Sequence, residues 1–321
     1  MPELPDLAVY VEHLERLLKG ATLRKVRVAS PFVLRSVAPP VNALEGLAIR
    51  GVTRLGKRLV FSLEGKEGEP PSHSPELFLV LHLMVAGRLR WKTADAPVPI
   101  PKKIGLLSLL FDHGTLLLTE ASPKKRAWIR VVSGREALAA LDPGGLEPLE
   151  APREAFVARL RSENHTLKRA LTDPTLFSGI GNAYSDEILH AARLSPVALT
   201  SRLADDEAGR LFEATRTTLV GWTDRLRQRA GEAFPEKVTA FREDMAVHGK
   251  FGKPCPRCGT SVQRIVYADN ETNYCPACQT GGKLLADRSL SRLLRGDWPK
   301  SLEEMEERKK KEKIQPVADH S

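Results

Sequence analysis

Four cysteines carry the sharpest chemical signal in this chain. Cys255-Pro-Arg-Cys258 is followed, sixteen residues on, by Cys275-Pro-Ala-Cys278, a spacing suited to a four-cysteine zinc site. Each Cys-x-x-Cys turn points two thiolates the same way, and two such turns close a tetrahedron with no position left for water. One structural zinc is therefore expected, not a catalytic one. A redox pair would need a lone Cys-x-x-Cys beside a βαβ unit, which the sequence lacks. A second signal is Phe177-Ser-Gly-Ile-Gly-Asn-Ala-Tyr-Ser-Asp-Glu-Ile-Leu189. Gly179 and Gly181 permit a tight turn, and Asn182 stands where a helix begins, a ready site for a DNA phosphate. Alone, the segment fits equally well an ordinary helix–turn–helix corner with Asn182 as its cap. A third is Met1-Pro2-Glu3-Leu4-Pro5-Asp6. A small second residue allows removal of the initiator methionine, exposing a secondary amine at Pro2 that is partly unprotonated near neutral pH. Such an amine can attack C1′ of a sugar, expel the base and leave an iminium linkage. Glu3 beside it is a candidate proton shuttle. On its own the motif also reads as an acidic, proline-rich lead-in to a helix.

These residues need elements to position them. Leu7–Leu18 has the apolar spacing of a helix through Val9, Leu14, Leu17 and Leu18, stopped by Gly20. From Ala21 to Val132 the pattern changes to short β-branched and leucine-rich runs. Thr22–Val28, Leu59–Leu63, Leu77–His82, Leu106–Phe111 and Thr115–Thr119 are examples, and together they predict a β-sandwich. The polar Glu64–Glu76 stretch and the proline-rich Ala94–Lys103 stretch interrupt it as loops. Pro143-Gly144-Gly145 opens a turn-rich linker. Beyond it Glu154–Arg161, Thr166–Thr172, Ala183–Arg193, Asp205–Gly221 and Trp222–Ala230 read as helices, the third ending before Pro196. The expected class is α+β, in four parts. Residues 1–142 form a helix-flanked sandwich and 150–245 a helical domain with a helix–two-turn–helix. Residues 246–282 form the zinc finger, and 283–321 a charged, largely disordered tail.

Composition bounds the partners. The 321 residues are 42% hydrophobic and 28% charged, ordinary for a globular protein, but the net charge is +9. A basic chain favours a polyanion, nucleic acid or an acidic membrane surface. The longest apolar run falls short of a bilayer span. The opening residues are acidic and lack the basic-then-apolar pattern of a secretory signal. With all four cysteines in one cluster no disulfide framework is available. These features predict a reducing compartment without secretion; a DNA partner would add a cytoplasmic, nucleoid-associated location without membrane attachment.

Order and spacing together resemble the formamidopyrimidine-DNA glycosylase / endonuclease VIII family, from Met1 to about Gln279. The motifs are Pro2-Glu3-Leu4-Pro5, Gly56-Lys57-Arg58, His82-Leu83 with Gly87, Asn182 in its Gly-Ile-Gly-Asn-Ala-Tyr-Ser-Asp-Glu-Ile-Leu setting, and the four cysteines. The resemblance implies a monomeric base-excision-repair enzyme acting on damaged DNA, with the DNA lying between its two halves. Pro2 would be the nucleophile and Glu3 the general acid/base. Lys57 would hold the phosphates flanking the lesion and assist strand cleavage, and Asn182 would hold a phosphate through its amide. Lys124, Lys125, Arg126 and His82 would join the DNA contact, and Cys255, Cys258, Cys275 and Cys278 would bind Zn2+.

The sequence departs from that family pattern in several places. The family's finger carries an arginine five residues before the third cysteine; this chain has Asn270 between Asp269 and Glu271, which supply no fork for phosphate. His82-Leu83-Met84-Val85-Ala86-Gly87 sets its methionine one position away from the family's, which on a strand would turn it to the other face. Pro123-Lys124-Lys125-Arg126-Ala127 lacks the aromatic that follows the family's proline, and Asp6 replaces a longer acid. Residues 283–321 trail the finger, where relatives generally end. These changes describe a divergent member with its catalytic core kept and its lesion-reading parts rebuilt. Oxidised purines in duplex DNA are the default substrate. Oxidised pyrimidines, abasic sites, single-stranded lesions and crosslinks are alternatives, as are a damage-binding protein without turnover and a generic zinc-ribbon nucleic-acid binder.

Overall fold

The computed structural model describes residues 1–65, 76–93, 98–267 and 270–285, with single positions 299, 301, 303, 304 and 307. Parts of the two expected loops, the finger tip at 268–269 and nearly all of the tail expected to be disordered lie outside these residues. The chain divides into two compact units. The first comprises Met1–Glu150, Asp173–Ile180 and Leu219–Ala240; the second comprises Ala151–Thr172, Gly181–Thr218 and Phe241–Ser321.

In the first unit α1 (Leu4–Leu18) starts where Glu3, in extended conformation, and Asp6 cap each other. The Glu3 side chain accepts from the Asp6 backbone, and the Glu3 N–H donates to the Asp6 carboxylate at 3.0 Å. Two of the orphan donors of a helix start are thereby satisfied. Leu7, Tyr10, Leu14 and Leu18, at helical spacing, turn one face into the core.

Eight strands follow: β1 (Leu23–Val28), β2 (Ala48–Leu55), β3 (Arg58–Glu64), β4 (Leu77–His82), β5 (Gly87–Lys92), β6 (Gly105–Phe111), β7 (Gly114–Glu120) and β8 (Trp128–Ser133). They form two antiparallel four-stranded sheets, ordered β1-β6-β7-β5 and β2-β3-β4-β8. Leu59, Phe61, Leu63, Leu79 and Leu81 of one sheet share a core with Leu107, Leu109, Phe111, Leu116 and Leu118 of the other. Alternation along each strand makes this possible. The second sheet's other face is also covered. Val60, Phe78, Val80 and Val132 pack with Trp128, and with Leu138 on the short α2 (Arg135–Ala139), which accounts for the unbroken apolar run of β4.

The second unit holds α3 (Arg153–Arg161), α4 (Leu167–Thr172), α5 (Asn182–Ala192) and the start of α6 (Asp205–Ala230). Its finger comprises β9 (Gln263–Tyr267), β10 (Asn270–Tyr274) and α7 (Pro276–Thr280). The α+β architecture expected from the sequence is therefore present. The largest difference in boundaries is at Gly221: instead of separate helices meeting there, α6 is a continuous 26-residue helix. A mid-helix glycine costs about 1 kcal/mol, too little to break a helix whose Leu219, Trp222 and Leu226 are buried. Among the described residues no helix is long and apolar enough to cross a membrane.

Candidate active site and zinc centre

The amino terminus is built into the first unit. Pro2 and Glu3 are buried, and the Leu4 N–H donates to the Gly179 carbonyl at 2.9 Å. Gly179 has φ of +79°, and a Cβ there would lie 2.9 Å from both the Leu4 Cβ and the Arg54 guanidinium. This glycine, read in the sequence as part of a phosphate turn, is also what lets the turn approach the start of α1. Arg54 binds the Gly56 carbonyl at 2.6 Å and the Ser178 hydroxyl at 3.1 Å, and pairs with Glu147. It fastens the β2–β3 turn from behind; nothing in the sequence motifs singled it out.

Lys57 sits in that turn, with Gly56. Leu55 pairs with Arg58, so the loop has two residues, and the positive φ of Gly56 at its first position matches a II′ hairpin. Burial lowers the pKa of the chain's amino group below its usual value of 8.0. Glu3 and Asp6 oppose the shift through their negative charges, while the cations Arg88 and Lys57 add to it. Those four side chains therefore lie within electrostatic reach of the amine. An amine so placed is more often unprotonated, hence nucleophilic, at neutral pH. Asp6, read in the sequence as a shortened acid, has a structural task as Glu3's capping partner. Arg88, which follows the turn-forming Gly87, has no motif in the sequence to mark it.

His82 ends β4 with its ring stacked on Trp128, centroids 5.4 Å apart. Burial, reinforced by the charges of Arg58, Lys57 and the amino terminus, depresses its pKa to about 4. The neutral ring accepts at Nδ1 from the Met84 N–H, 2.9 Å away, which puts the proton on Nε2. Met84 itself lies in a turn with φ of +51°, not on a strand face. The turn closes through the Gly87 N–H to Leu83 carbonyl bond and leaves Val85 at its tip, 59% exposed. In the loop before β8, the Glu120 carboxylate accepts from the Arg126 and Ala127 N–H groups at 2.8 and 3.0 Å. Lys125 folds back onto the Glu120 carbonyl, whereas Lys124 and Arg126 remain exposed.

The second unit carries Asn182 and the cysteines. Gly181, not Asn182, occupies the cap position of α5, and Asn182 is the first helical residue. Its amide donates to the Glu271 carbonyl of β10 at 2.9 Å. One turn on, the buried Asp186 accepts from Lys168 Nζ at 2.5 Å, from the Asn273 N–H at 3.2 Å, and pairs with His248 at 2.8 Å. Glu187 receives the N–H groups of Ala246, Val247 and His248 at 2.8–2.9 Å. Burial raises the Glu187 pKa, against the pull of these N–H bonds.

The cysteine sulfurs of Cys255, Cys258, Cys275 and Cys278 all lie within 4.8 Å of one another, with close separations of 3.4, 3.5 and 4.0 Å. A zinc–sulfur bond of about 2.3 Å sets tetrahedral edges of about 3.8 Å. The cage fits one structural zinc, with four thiolates and no position left for substrate. Gln279 locks it to the helical domain, accepting from the Cys275 N–H at 2.8 Å and donating to the Leu194 carbonyl at 2.9 Å.

Comparison with known proteins matches three family descriptions in succession. They are the formamidopyrimidine-DNA glycosylase N-terminal domain over residues 1–126, the formamidopyrimidine-DNA glycosylase H2TH domain over 145–221, and a zinc finger found in FPG and IleRS over 252–281. The formamidopyrimidine-DNA glycosylase of Laribacter hongkongensis is 32% identical over 289 residues, covering 87% of this chain and all of the relative. An uncharacterized formamidopyrimidine-DNA glycosylase-like protein of Mycobacterium tuberculosis is 39% identical over 151 residues, 47% of this chain and 94% of its own. Among solved structures, the Lactococcus lactis Fpg in complex with abasic-site DNA superposes with a TM-score of 0.73 at 26% identity, covering 87% of this chain and 99% of that one. MutM in complex with DNA containing carbocyclic 8-oxo-G gives 0.72 at 27% identity, covering 87% and 100%.

Proposed function

Because the chain belongs to the formamidopyrimidine-DNA glycosylase family of DNA-repair enzymes, we propose that it removes a damaged base and then cuts the strand, using the amine of Pro2. The observation that carries this reading is the half-buried amino terminus, its pKa lowered, within electrostatic reach of Glu3, Asp6, Lys57 and Arg88. In the structure that amine belongs to Met1; loss of Met1 passes its surroundings to the Pro2 nitrogen.

The unprotonated Pro2 nitrogen attacks C1′ while the bond from C1′ to the base breaks, the base leaving with a proton. Opening of the sugar ring gives an iminium between Pro2 and C1′, and Glu3 supplies and removes the protons these steps need. Loss of a proton from C2′ then expels the 3′ phosphate, and water hydrolyses the iminium to return the amine. Lys57 holds the flanking phosphates. Lys124 and Arg126 add exposed cations, Lys125 lends charge from a half-buried position, and neutral His82 can donate only through Nε2. Asn182 binds a phosphate with the second N–H of its amide, the first being engaged by Glu271. The protein acts as a monomer.

Oxidised bases are the substrate class implied by kinship. Val85 at the tip of its turn, and cations in place of an aromatic at 124–126, favour bases already unstacked, as in single strands, and abasic sites, which have no base to flip. Flipping then costs little.

Borohydride trapping on abasic-site DNA tests the mechanism. Wild type should give a covalent complex whose attached residue is Pro2 by mass spectrometry, and Pro2→Gly and Glu3→Gln should trap or turn over far less. Full trapping with a blocked amino terminus would remove Pro2 from this role.

A further inference from the structure

One face of α5 carries Asn182, Asp186 and His190, spaced four residues apart so that they line up along the helix. Each bonds the finger. Asn182 reaches the Glu271 carbonyl, Asp186 the Asn273 N–H, and His190 Nε2 the Cys255 sulfur at 3.2 Å. The first two hold β10; the third touches a metal ligand directly. His190 is 4% exposed and Cys255 2%, so water does not compete for the bond.

A cysteine sulfur bound to zinc is a thiolate and has no proton to give. The contact therefore requires His190 in the tautomer that carries its proton on Nε2, donating to sulfur. Four thiolates around one divalent ion leave an excess of two negative charges in a partly buried cage. An N–H aimed at one of them offsets part of that charge, and charge-assisted bonds of this kind are the strong ones. We propose that His190 is a positioning residue of the zinc centre: its imidazole N–H holds the Cys255 thiolate and couples zinc retention to the setting of α5. This assignment concerns the metal centre and stands apart from the chemistry at Pro2.

The test uses the full-length zinc protein. His190→Phe fills the same space without a donor, and His190→Gln restores one. Zinc release into a chromogenic chelator should be faster in His190→Phe by on the order of 10–100-fold, as for other outer-shell partners, with His190→Gln in between. In the cobalt-substituted proteins the thiolate-to-metal absorption band should shift in His190→Phe and return toward wild type in His190→Gln. A His190→Phe protein with the wild-type release rate and an unchanged band overturns the proposal. Should that variant not fold, the wild type decides: long-range proton–nitrogen NMR must find the His190 proton on Nε2. A proton on Nδ1 alone overturns the assignment.

Discussion

At the scale of single residues, the charged neighbours of the amino terminus give the proposed chemistry a pH dependence that can be measured. Arg88 lowers the pKa of the amino terminus, so removing its charge lets that pKa rise. The amine then stays protonated to higher pH. Arg88→Gln should move the acid limb of the rate of covalent trapping to higher pH; an unmoved or downward limb would deny Arg88 this influence. Glu3→Gln removes the carboxylate proposed as the proton shuttle while Asp6 still caps the helix through the Glu3 N–H. Single-turnover base release should fall about 10²–10⁴-fold. His82 bears on stability. Its folded pKa of about 4 lies below the unfolded value near 6.5. Above 6.5 both states are neutral; as pH falls toward 4 the unfolded state takes up a proton that the folded state refuses. Stability is therefore lost through that window, by roughly 3 kcal/mol at most from this residue. His82→Asn, which keeps an acceptor for the Met84 N–H, should flatten the decline in melting temperature between pH 6.5 and 4.

At the scale of elements, turns and caps hold these side chains. Gly87 closes the turn beyond His82, and a Cβ there would sit 2.3 Å from the Leu83 carbonyl oxygen. That oxygen is backbone and cannot step aside, so Gly87→Ala should lower stability by about 1–3 kcal/mol and weaken DNA binding, measurable by urea unfolding and by titration with abasic-site DNA. Glu187 is the corresponding hub in the second unit. Glu187→Ala leaves three N–H groups without their acceptor, each costing about 1–3 kcal/mol if it stays buried. Hydrogen exchange should show residues 246–248 losing protection first. Most of these elements were legible in sequence because they are periodic: Leu59, Phe61 and Leu63 alternate, and Leu7, Leu14 and Leu18 repeat on a helix. The misreadings fell where local signals compete with packing. Gly221 looked like a helix end, yet Leu219 and Trp222 on either side of it are buried and carry α6 through. Met84 looked like a strand residue, yet it lies in a turn closed by the Gly87 N–H.

At the scale of the whole molecule, charge and metal govern the encounter with DNA. A net charge of +9 implies binding that weakens linearly in log salt as counterions return to the duplex. If Lys57 and Lys124 contact phosphates, replacing either with Ala should reduce that salt slope by about one. Removing zinc should cost more than any lysine. The finger has a small apolar core of Val247 and Val262 with Cys255 and Cys275, too little to fold without the ion. Chelation should melt its hairpin and abolish DNA binding, with both regained on adding zinc. Retained binding after verified metal loss would separate the finger from recognition.

What the chain's sequence determined unaided was everything encoded by spacing along it. The two Cys-x-x-Cys turns imply a tetrahedron, and the alternating and helical periods imply a sandwich and helices. Each rests on residues whose geometry follows from their separation. What only the tertiary structure decided was which distant groups meet. Lys57 from the β2–β3 turn and Arg88 from β5 both act on the amino terminus, Gly179 closes on Leu4, and His190 reaches Cys255 across 65 positions of chain. A charge or an N–H acts through space, over a few ångströms. Its partners are set by how sheets and helices pack, which no local pattern along the chain records.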